Sequence, residues 1–226
     1  MHPFELPQEI KDRVIARRGK LHLYEDLDAA RTALVVIDMQ NAFMEPGAVA
    51  EVAVARQIVP NINRLAETCR AAGAVVAWVR VTVSPEGGPD YWPGLLDHVN
   101  TPERAARFIE ALADGSHGHA IWPGLAVEDG DIVVNKNRYS AFLPGASELA
   151  GILQQRDIDT VVITGTLTNV CCESSARDAM MTDFKTIMVS DGNACLWDDE
   201  HLATLSTHVQ VFGDVYTTDE LVDLLS

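Results

Sequence analysis

Basic residues are scarce in this 226-residue chain, which has 17 lysines and arginines against 33 acidic residues and a formal net charge of -16. Such a surface repels polyphosphate and anionic lipid, so the composition argues against a nucleic-acid partner and against a membrane partner. Long apolar runs are also missing. No stretch approaches the roughly 20 residues of a membrane span, and residues 1–30 lack the apolar segment of a secretion signal. We therefore expect a cytoplasmic protein that acts on a small molecule.

Cysteine is the next scarce residue, and its spacing excludes the usual structural uses. The four cysteines are Cys69, Cys171, Cys172 and Cys195, and none of them forms a CxxC pair. A reducing compartment argues against a disulfide framework, and a bridge between adjacent residues would be strained. The adjacent pair at 171 and 172 therefore needs another explanation.

The hydrophobic content of 47% is enough for one α/β domain with a substantial core. Short β-branched runs alternate with longer stretches of helical period, which predicts a parallel sheet covered by helices on both faces. The predicted strands are residues 33–38, 74–81, 131–135, 160–165, 185–190 and 209–212. The predicted helices are residues 52–72, 102–113, 146–156, 171–183 and 199–207, with a last one from Asp219.

Two segments depart from this alternation. Residues 84–122 carry many glycine and proline turns, which predicts a partly irregular excursion over one end of the sheet that could form a lid. Residues 1–30 predict an N-terminal arm that either packs on its own domain or reaches a neighbouring subunit. The domain itself is predicted to span residues 31–226.

Three predicted strand ends carry chemically useful side chains, and parallel sheets bind ligands at these ends. Asp38 follows the first strand, Lys136 follows the third, and Cys171 and Cys172 come shortly after the fourth. Taken alone, Asp38 could be a turn residue and Lys136 a surface amine. Together with a thiol at a helix start, where the positive end of the helix stabilises a thiolate, they indicate a nucleophilic site. Thr168 or Asn169 is predicted to cap that helix.

Helical spacing indicates which of the two thiols reacts. Cys172 shares an apolar face with three residues at helical intervals, namely Ala176, Ala179 and Met180, so it is predicted to pack in the core. Cys171 lies on the more polar side with Ser174, Ser175 and Asp178, so it is predicted to face the substrate. The alternative is that both thiols are buried small hydrophobic residues without a chemical role.

At this point the sequence resembles the isochorismatase-like cysteine hydrolases. The resemblance rests on three motifs in the same order: VVIDMQN at 35–41, KNRYSAF at 136–142 and GTLTNVCCESSARDA at 165–179. It implies a three-layer α/β/α Rossmann-like fold with a six-stranded parallel sheet in the order 3-2-1-4-5-6. It also implies a catalytic triad of Asp38, Lys136 and Cys171. No cofactor is implied, and a homo-dimer or homo-tetramer is expected.

The resemblance implies further features around the nucleophile. A non-proline cis peptide is expected between Leu167 and Thr168, and the backbone N–H groups of Thr168 and Cys171 are expected to form an oxyanion hole. Five residues near the strand ends are candidates for contact with a small planar substrate, although each could be core, rim or turn packing instead: Asn41, Phe43, Trp78, Tyr139 and Phe142.

Within the family the sequence is most similar to ureidoacrylate, biuret and streptothricin hydrolases. These enzymes open an amide or ureide C–N bond, so an amide, ureide or lactam substrate is expected. Ureidoacrylate hydrolases have asparagine where this chain has Val81. This chain would therefore lack a polar contact to a ureido group, so the resemblance does not identify the exact substrate. The Asp-x-His metal motif of nicotinamidases is also missing after the second strand, so no metal is expected there. His117 and His119 have the spacing of a metal-binding pair, but they lie in a glycine-rich loop.

Two other functions remain open at this point. One is the hydrolysis of a vinyl ether, as in isochorismatases, which needs the aspartate but no nucleophilic sulfur. The other is a thiol or ligand-binding protein that keeps the fold without turnover.

Overall fold

The computed structural model describes residues 1–225. One sheet of six strands forms its centre, in the order β3-β2-β1-β4-β5-β6. All neighbouring strands are parallel, as predicted. The strands are β1 (Thr32–Ile37), β2 (Val75–Val81), β3 (Ile132–Lys136), β4 (Thr160–Thr166), β5 (Lys185–Ala194) and β6 (Asp214–Tyr216).

Helices connect the strands and cover the sheet. They are α1 (Gln8–Arg18), α2 (Asn41–Met44), α3 (Val59–Ala72), α4 (Pro102–Leu112), α5 (Leu149–Gln154), α6 (Glu173–Met181), α7 (Asp198–Val211) and α8 (Thr218–Leu225). A short 3-10 helix, Ala53–Ile58, precedes α3, and single π-helical turns occur at Gly94–Val99 and Thr168–Cys172. No helix within residues 1–225 is both long and apolar enough to cross a membrane.

The core lies on both faces of the sheet, and the pleat of β1 shows why. All six residues of this strand are buried. Alternate side chains of a strand point to opposite faces, so Val35 and Ile37 pack in one apolar cluster while Leu34 and Val36 pack in the other. A strand buried on both faces has no need for polar side chains, which explains the uninterrupted apolar run in the sequence.

The prediction for the sixth strand is wrong. Residues 209–211 form the end of α7, Phe212 follows the helix, and β6 is a three-residue strand that begins at Asp214. Val209 lies four residues after Leu205 on the buried face of the helix, whereas Val211 is 44% exposed. The apolar run that suggested a strand is therefore the end of an amphipathic helix.

The N-terminal arm packs on its own domain. Its helix α1 contacts α7, and the arm that follows is held by the buried carboxylate of Asp214. This carboxylate accepts hydrogen bonds from the backbone N–H groups of Leu23 (2.5 Å) and Tyr24 (3.3 Å) and lies 3.1 Å from Nδ1 of His22. The arm therefore covers the edge of the sheet at β6, the kind of strand edge that would otherwise be free to pair with another chain.

His208 is a buried histidine on α7 whose two ring nitrogens form no well-aligned hydrogen bond among residues 1–225, although the Thr186 backbone lies near the ring and partly opposes the effect of burial on its pKa. Burial lowers its pKa to about 4, because the charged imidazolium loses its hydration in the core. An unfolded histidine titrates near 6.5, so the unfolded chain takes up a proton first as the pH falls. The contribution of neutral His208 to the free energy of unfolding is thus fully present above about pH 6.5 and is lost as the pH falls towards 4.

We predict that His208→Leu makes the protein less sensitive to acid. The free energy of unfolding of the native sequence should fall by on the order of 3 kcal/mol between pH 7 and pH 4 through this one group. In the variant that part of the decrease should disappear, as measured by urea unfolding at a series of pH values. His98→Leu, at an exposed position, is the control. An unchanged pH dependence in His208→Leu would contradict the assignment.

Candidate active site

The carboxyl ends of the central strands β1 and β4 approach each other unusually closely. Gly165 of β4 pairs with Ile37 of β1, and a Cβ atom on Gly165 would lie 2.1 Å from the Ile37 carbonyl oxygen. Gly165 also has φ +115°, a conformation that favours glycine. Asp38 follows Ile37 directly after the end of β1. It has φ +53°, and its N–H donates to the carbonyl of Val79 at 2.9 Å. The chain therefore turns sharply at Asp38 and directs its side chain into the end of the sheet.

Asp38 and Lys136 form a buried ion pair at this end of the sheet. Nζ of Lys136 donates to Oδ2 of Asp38 at 2.8 Å, and neither side chain is exposed to solvent. A second hydrogen bond, to the Arg138 carbonyl at 3.0 Å, holds the ammonium in place. The other carboxylate oxygen, Oδ1, has no well-formed hydrogen bond to any residue in 1–225. Its lone pairs are therefore available to a proton that is not held by Lys136.

Cys171 completes the group from the π-helical turn that leads into α6. Its side chain is 4% exposed, and its thiol lies beside both Asp38 and Lys136. Burial raises the pKa of this thiol strongly, the Asp38 carboxylate raises it further, and the Lys136 ammonium opposes both effects only in part. Cys171 is therefore a neutral thiol at rest, and it needs a base to become a nucleophile.

The two charged partners share this environment. Burial raises the pKa of Asp38, and the nearby Lys136 ammonium reduces the rise without cancelling it. For Lys136, burial acts to lower the pKa, but the Asp38 carboxylate, together with the Cys171 sulfur whenever it is ionised, outweighs this effect and raises the pKa. The resting state is thus one carboxylate, one ammonium and one thiol, with no net charge. Because its pKa is raised, the Asp38 carboxylate is a better proton acceptor than the carboxylate of an exposed aspartate.

On the side of the helix that was predicted to be polar, Cys171 and Ser175 are buried, whereas Ser174 and Asp178 are partly exposed. On the side predicted to be apolar, three of the four residues are buried. Cys172, Ala176 and Ala179 are fully buried on the sheet side of α6, whereas Met180 is 39% exposed at the end of the helix. The Cys172 thiol points away from solvent towards the Thr164 carbonyl, at 3.9 Å. Of the two adjacent thiols, Cys171 is the one at the cavity end of the sheet.

The turn before Cys171 differs from the sequence prediction in two ways. The cis peptide lies between Thr166 and Leu167, one residue earlier than expected. Neither Thr168 nor Asn169 caps the helix through its side chain. The Thr168 hydroxyl instead lies 3.0 Å from Nδ1 of His201, whose Nε2 donates to the Ser190 carbonyl.

Because that carbonyl can only accept, the proton of His201 sits on Nε2, and the Thr168 hydroxyl donates to Nδ1. His201 on α7 therefore fixes the orientation of Thr168, the residue expected to contribute to the oxyanion hole. Sequence analysis missed this contact, since a histidine inside a helical pattern gives no signal of its partner.

A cavity of about 630 Å³ opens over the carboxyl ends of β2 and β4. Val81 from β2 and both Leu167 and Val170 from the nucleophile turn form its floor. The segment 84–122 forms much of its rim, as its path over the sheet end predicted. Residues from this segment include Trp92, Leu95, Val99, Asn100, Thr101, Arg104, Phe108 and Leu112. The lining is mainly apolar, which suits a small substrate with an apolar body.

Two of the five predicted substrate contacts reach this cavity. Phe43 and Tyr139 both line it, and Tyr139 packs edge-to-face on Trp92 with ring centroids 4.6 Å apart.

The structure corrects the other three predictions. Trp78 lies inside β2, fully buried, and its indole N–H donates to Asp131 at 2.8 Å. Phe142 is buried against Phe184 in the core. Asn41 faces a neighbouring cavity and donates to the His117 carbonyl at 2.9 Å. Proximity to a strand end could not show which of these side chains turn inward.

The two histidines of the predicted metal-binding spacing diverge. His117 is exposed and pairs with Glu45 at 2.7 Å, whereas His119 is buried and lies 2.8 Å from the Thr82 hydroxyl. A different group, His2, Cys195 and His201, brings ligand atoms within 4.8 Å of one another. Each of these three already has hydrogen-bond partners within the protein, as for His2 and Asp198 at 2.6 Å. Their polar atoms are thus accounted for without a metal.

Comparison with known proteins agrees with this geometry. The family model for the isochorismatase domain matches residues 32–220. The chain belongs to the isochorismatase family. Among solved structures, a cysteine hydrolase from Pseudomonas syringae pv. phaseolicola has a TM-score of 0.79 at 31% identity, covering 88% of this chain and 94% of that one.

Two further family structures are similar over most of their length. An isochorismatase family protein from Desulfovibrio vulgaris has a TM-score of 0.74 at 28% identity, covering 86% of this chain and 98% of that one. N-carbamoylsarcosine amidase from Thermoplasma acidophilum has a TM-score of 0.68 at 25% identity, covering 84% of this chain and 97% of that one.

We predict that Lys136→Met strongly destabilises this isochorismatase-family fold, because it leaves the Asp38 carboxylate buried without a counter-ion. The free energy of unfolding should fall by about 3–5 kcal/mol in urea titrations followed by circular dichroism. The double variant Asp38→Asn/Lys136→Met should recover part of the loss, since no charge then remains buried.

Lys185→Met is the matched control, because it removes an exposed lysine that pairs with Asp159 at 3.3 Å. A surface pair of this kind contributes up to about 1 kcal/mol. Equal losses in the two lysine variants would contradict the assignment of a buried pair.

Proposed function

We propose that the protein is a cysteine-dependent amidohydrolase that cleaves the C–N bond of a small amide, ureide or lactam through a thioester intermediate. The observation that carries this proposal is the buried Asp38–Lys136 pair beside the Cys171 thiol. The group lies next to the cavity, whose lining includes Val170, the residue that precedes Cys171. Family membership makes a hydrolase the expected activity class, and the cysteine hydrolase among the similar structures supports a role for the thiol.

Charge balance explains how a thiol with a raised pKa can still act as a nucleophile. Direct ionisation to bulk water would leave a net negative charge in the buried site. Transfer of the Cys171 proton to Asp38 instead creates a thiolate and a neutral carboxylic acid, with no change in the total charge. Lys136 then faces the thiolate as its counter-ion. The raised pKa of Asp38 favours this transfer, and its free Oδ1 is the oxygen that can receive the proton.

The reaction follows in two halves. The thiolate attacks the substrate carbonyl carbon, and the C–N bond breaks as protonated Asp38 gives its proton to the leaving nitrogen. Ammonia or an amine departs, or, for a lactam, the freed amine stays attached to the acyl group, and an acyl thioester of Cys171 remains. Asp38 then takes a proton from a water molecule, whose oxygen attacks the thioester carbon. The C–S bond breaks, the acid product departs, and protonated Asp38 returns its proton to the Cys171 thiolate.

The tetrahedral intermediates carry an oxyanion, which needs hydrogen-bond donors. We propose the backbone N–H groups of Thr168 and Cys171 for this role. His201 supports it by holding the Thr168 side chain in the turn. Removal of one such donor costs about 3–4 kcal/mol of transition-state stabilisation in other acyl-transfer enzymes.

The substrate class has support from two sides. N-carbamoylsarcosine amidase, one of the similar structures, acts on a ureido compound by its name. The apolar lining of the cavity here, including Val81 on its floor, favours a substrate whose amide or ureide group is attached to an apolar body. Phe43 and Tyr139 are the proposed contacts to that body.

We predict that Cys171→Ala abolishes hydrolysis while Cys172→Ala retains most of it. A panel of primary amides, ureides and lactams is screened for ammonia or amine release, and intact-mass spectrometry detects the acyl adduct. The rate for Cys171→Ala should fall by several orders of magnitude, because the nucleophile is lost. Cys172→Ala removes only a packing sulfur, so its adduct should still form.

Undiminished turnover in Cys171→Ala would overturn the thioester mechanism and favour vinyl ether hydrolysis, which needs the carboxylate alone. Asp38→Asn should lose turnover, because asparagine tolerates the left-handed backbone at this position but cannot carry the proton. It also leaves Lys136 buried without its counter-ion, so the assay is run at a temperature at which circular dichroism shows the variant to be folded. The absence of both turnover and adduct across the panel would leave a binding protein and contradict the proposal.

A further inference from the structure

The cavity over the site has two charged residues in its lining, Glu51 and Arg104. Glu51 is already neutralised. One of its carboxylate oxygens accepts from Arg56 at 2.9 Å, and the other accepts from the backbone N–H of Gly47 at 2.7 Å. The hydrogen bonds to Gly47 and Arg56 also lower the pKa of this carboxyl group, so it stays ionised and both of its oxygens already have hydrogen-bond partners. Glu51 therefore does not compete for a ligand in the cavity.

Arg104 differs from Glu51 in having no partner of opposite charge. Its guanidinium carbon lies 5.1 Å from the ring centroid of Phe108, one helical turn further along α4, and both residues line the cavity. No acidic side chain within residues 1–225 forms an ion pair with Arg104, although the chain contains 33 acidic residues against 17 basic ones. Arg104 is exposed, and its stacking on Phe108 places the guanidinium at the rim of the cavity, where its N–H groups form no hydrogen bond to another residue in 1–225.

We propose that Arg104 binds a carboxylate on the substrate, so that the preferred substrates are acids whose amide or ureide group is separated from the carboxylate by an apolar body. This inference rests on the proposed function. The reacting carbonyl is placed at the Leu167–Val170 side of the cavity, next to Asp38, Lys136 and Cys171, and the acid is placed at the rim helix α4.

Three features of the cavity support this substrate class. A planar guanidinium pairs with a carboxylate through two parallel hydrogen bonds, which fixes the orientation of the substrate. The single positive charge of Arg104 balances the single negative charge of one substrate carboxylate. The lining between the floor and Arg104 is apolar, with Val81, Phe108 and Leu112 among its residues, so the segment that joins the two polar ends must be apolar as well.

The test compares substrates that differ only in the carboxylate. Suitable pairs are 6-ureidohexanoic acid with pentylurea, and adipamic acid with pentanamide. The full-length enzyme, Arg104→Gln and Arg107→Gln are assayed for ammonia release with all four compounds. Arg107 is the matched control, because it lies on the same helix and removes the same charge but lines the neighbouring cavity.

We expect the native enzyme to prefer the acid of at least one pair by kcat/KM. Arg104→Gln should lower kcat/KM for that acid by about ten- to a hundredfold, which is the range for a hydrogen bond to a charged group. The loss should appear mainly in KM, and the neutral partner should change less than about twofold. Arg107→Gln should leave both values unchanged. Binding of the same acid to Cys171→Ala, measured by calorimetry, should weaken by a similar factor when Arg104→Gln is added.

Two results would overturn the inference. One is hydrolysis of the neutral compounds with no preference for either acid, which would leave the amidohydrolase proposal intact and reject the role of Arg104 alone. The other is an equal loss for acid and neutral substrates in Arg104→Gln, which would indicate a structural role for this residue. If no compound is hydrolysed and no acyl adduct forms, the proposed function itself fails, and the binding measurement alone then decides whether Arg104 recognises a carboxylate.

Discussion

The buried ion pair between Asp38 and Lys136 is the constraint around which the rest of this site is arranged. Burying two opposite charges away from solvent costs free energy unless each charge has a close partner. The carboxyl ends of the strands that carry Asp38 and Lys136 must therefore be aligned in the sheet. The pairing of Val81 in β2 with Lys136 in β3, and of Ile37 in β1 with Val79 in β2, supplies that register. The pair also sets the protonation of the thiol beside it, which is why a buried cysteine with a raised pKa is consistent with nucleophilic chemistry.

The parts of the site that lie on strands could be predicted from sequence, and the parts that depend on side-chain direction could not. The carboxyl ends of parallel strands lie at one edge of the sheet, so Asp38 after β1, Lys136 at the end of β3 and Cys171 after β4 were expected at the same edge. Trp78 and Phe142 are equally close to strand ends in sequence, yet they turn into the core. The sixth strand failed for a related reason, because a short apolar run at a helix end has the same composition as a strand.

Contacts between distant segments are the other part that the sequence does not reveal. His201 reaches the nucleophile turn from α7, and Asp214 holds the N-terminal arm against β6. Both are polar residues that become fully buried because a specific partner satisfies them. Nothing in the local pattern of either residue identifies that partner, since the pairs are separated by 33 residues in one case and 191 in the other.

The close approach of Gly165 to the Ile37 carbonyl has a consequence for how such an enzyme can diverge. The floor of the site leaves room for a hydrogen atom only, so a larger residue there would push apart the two strands that position the acid and the thiol. The rim is made by the segment from Trp92 to Leu112, whose side chains face an open space. New specificity can therefore arise by exchanging rim residues one at a time, while the chemistry beneath them is inherited unchanged.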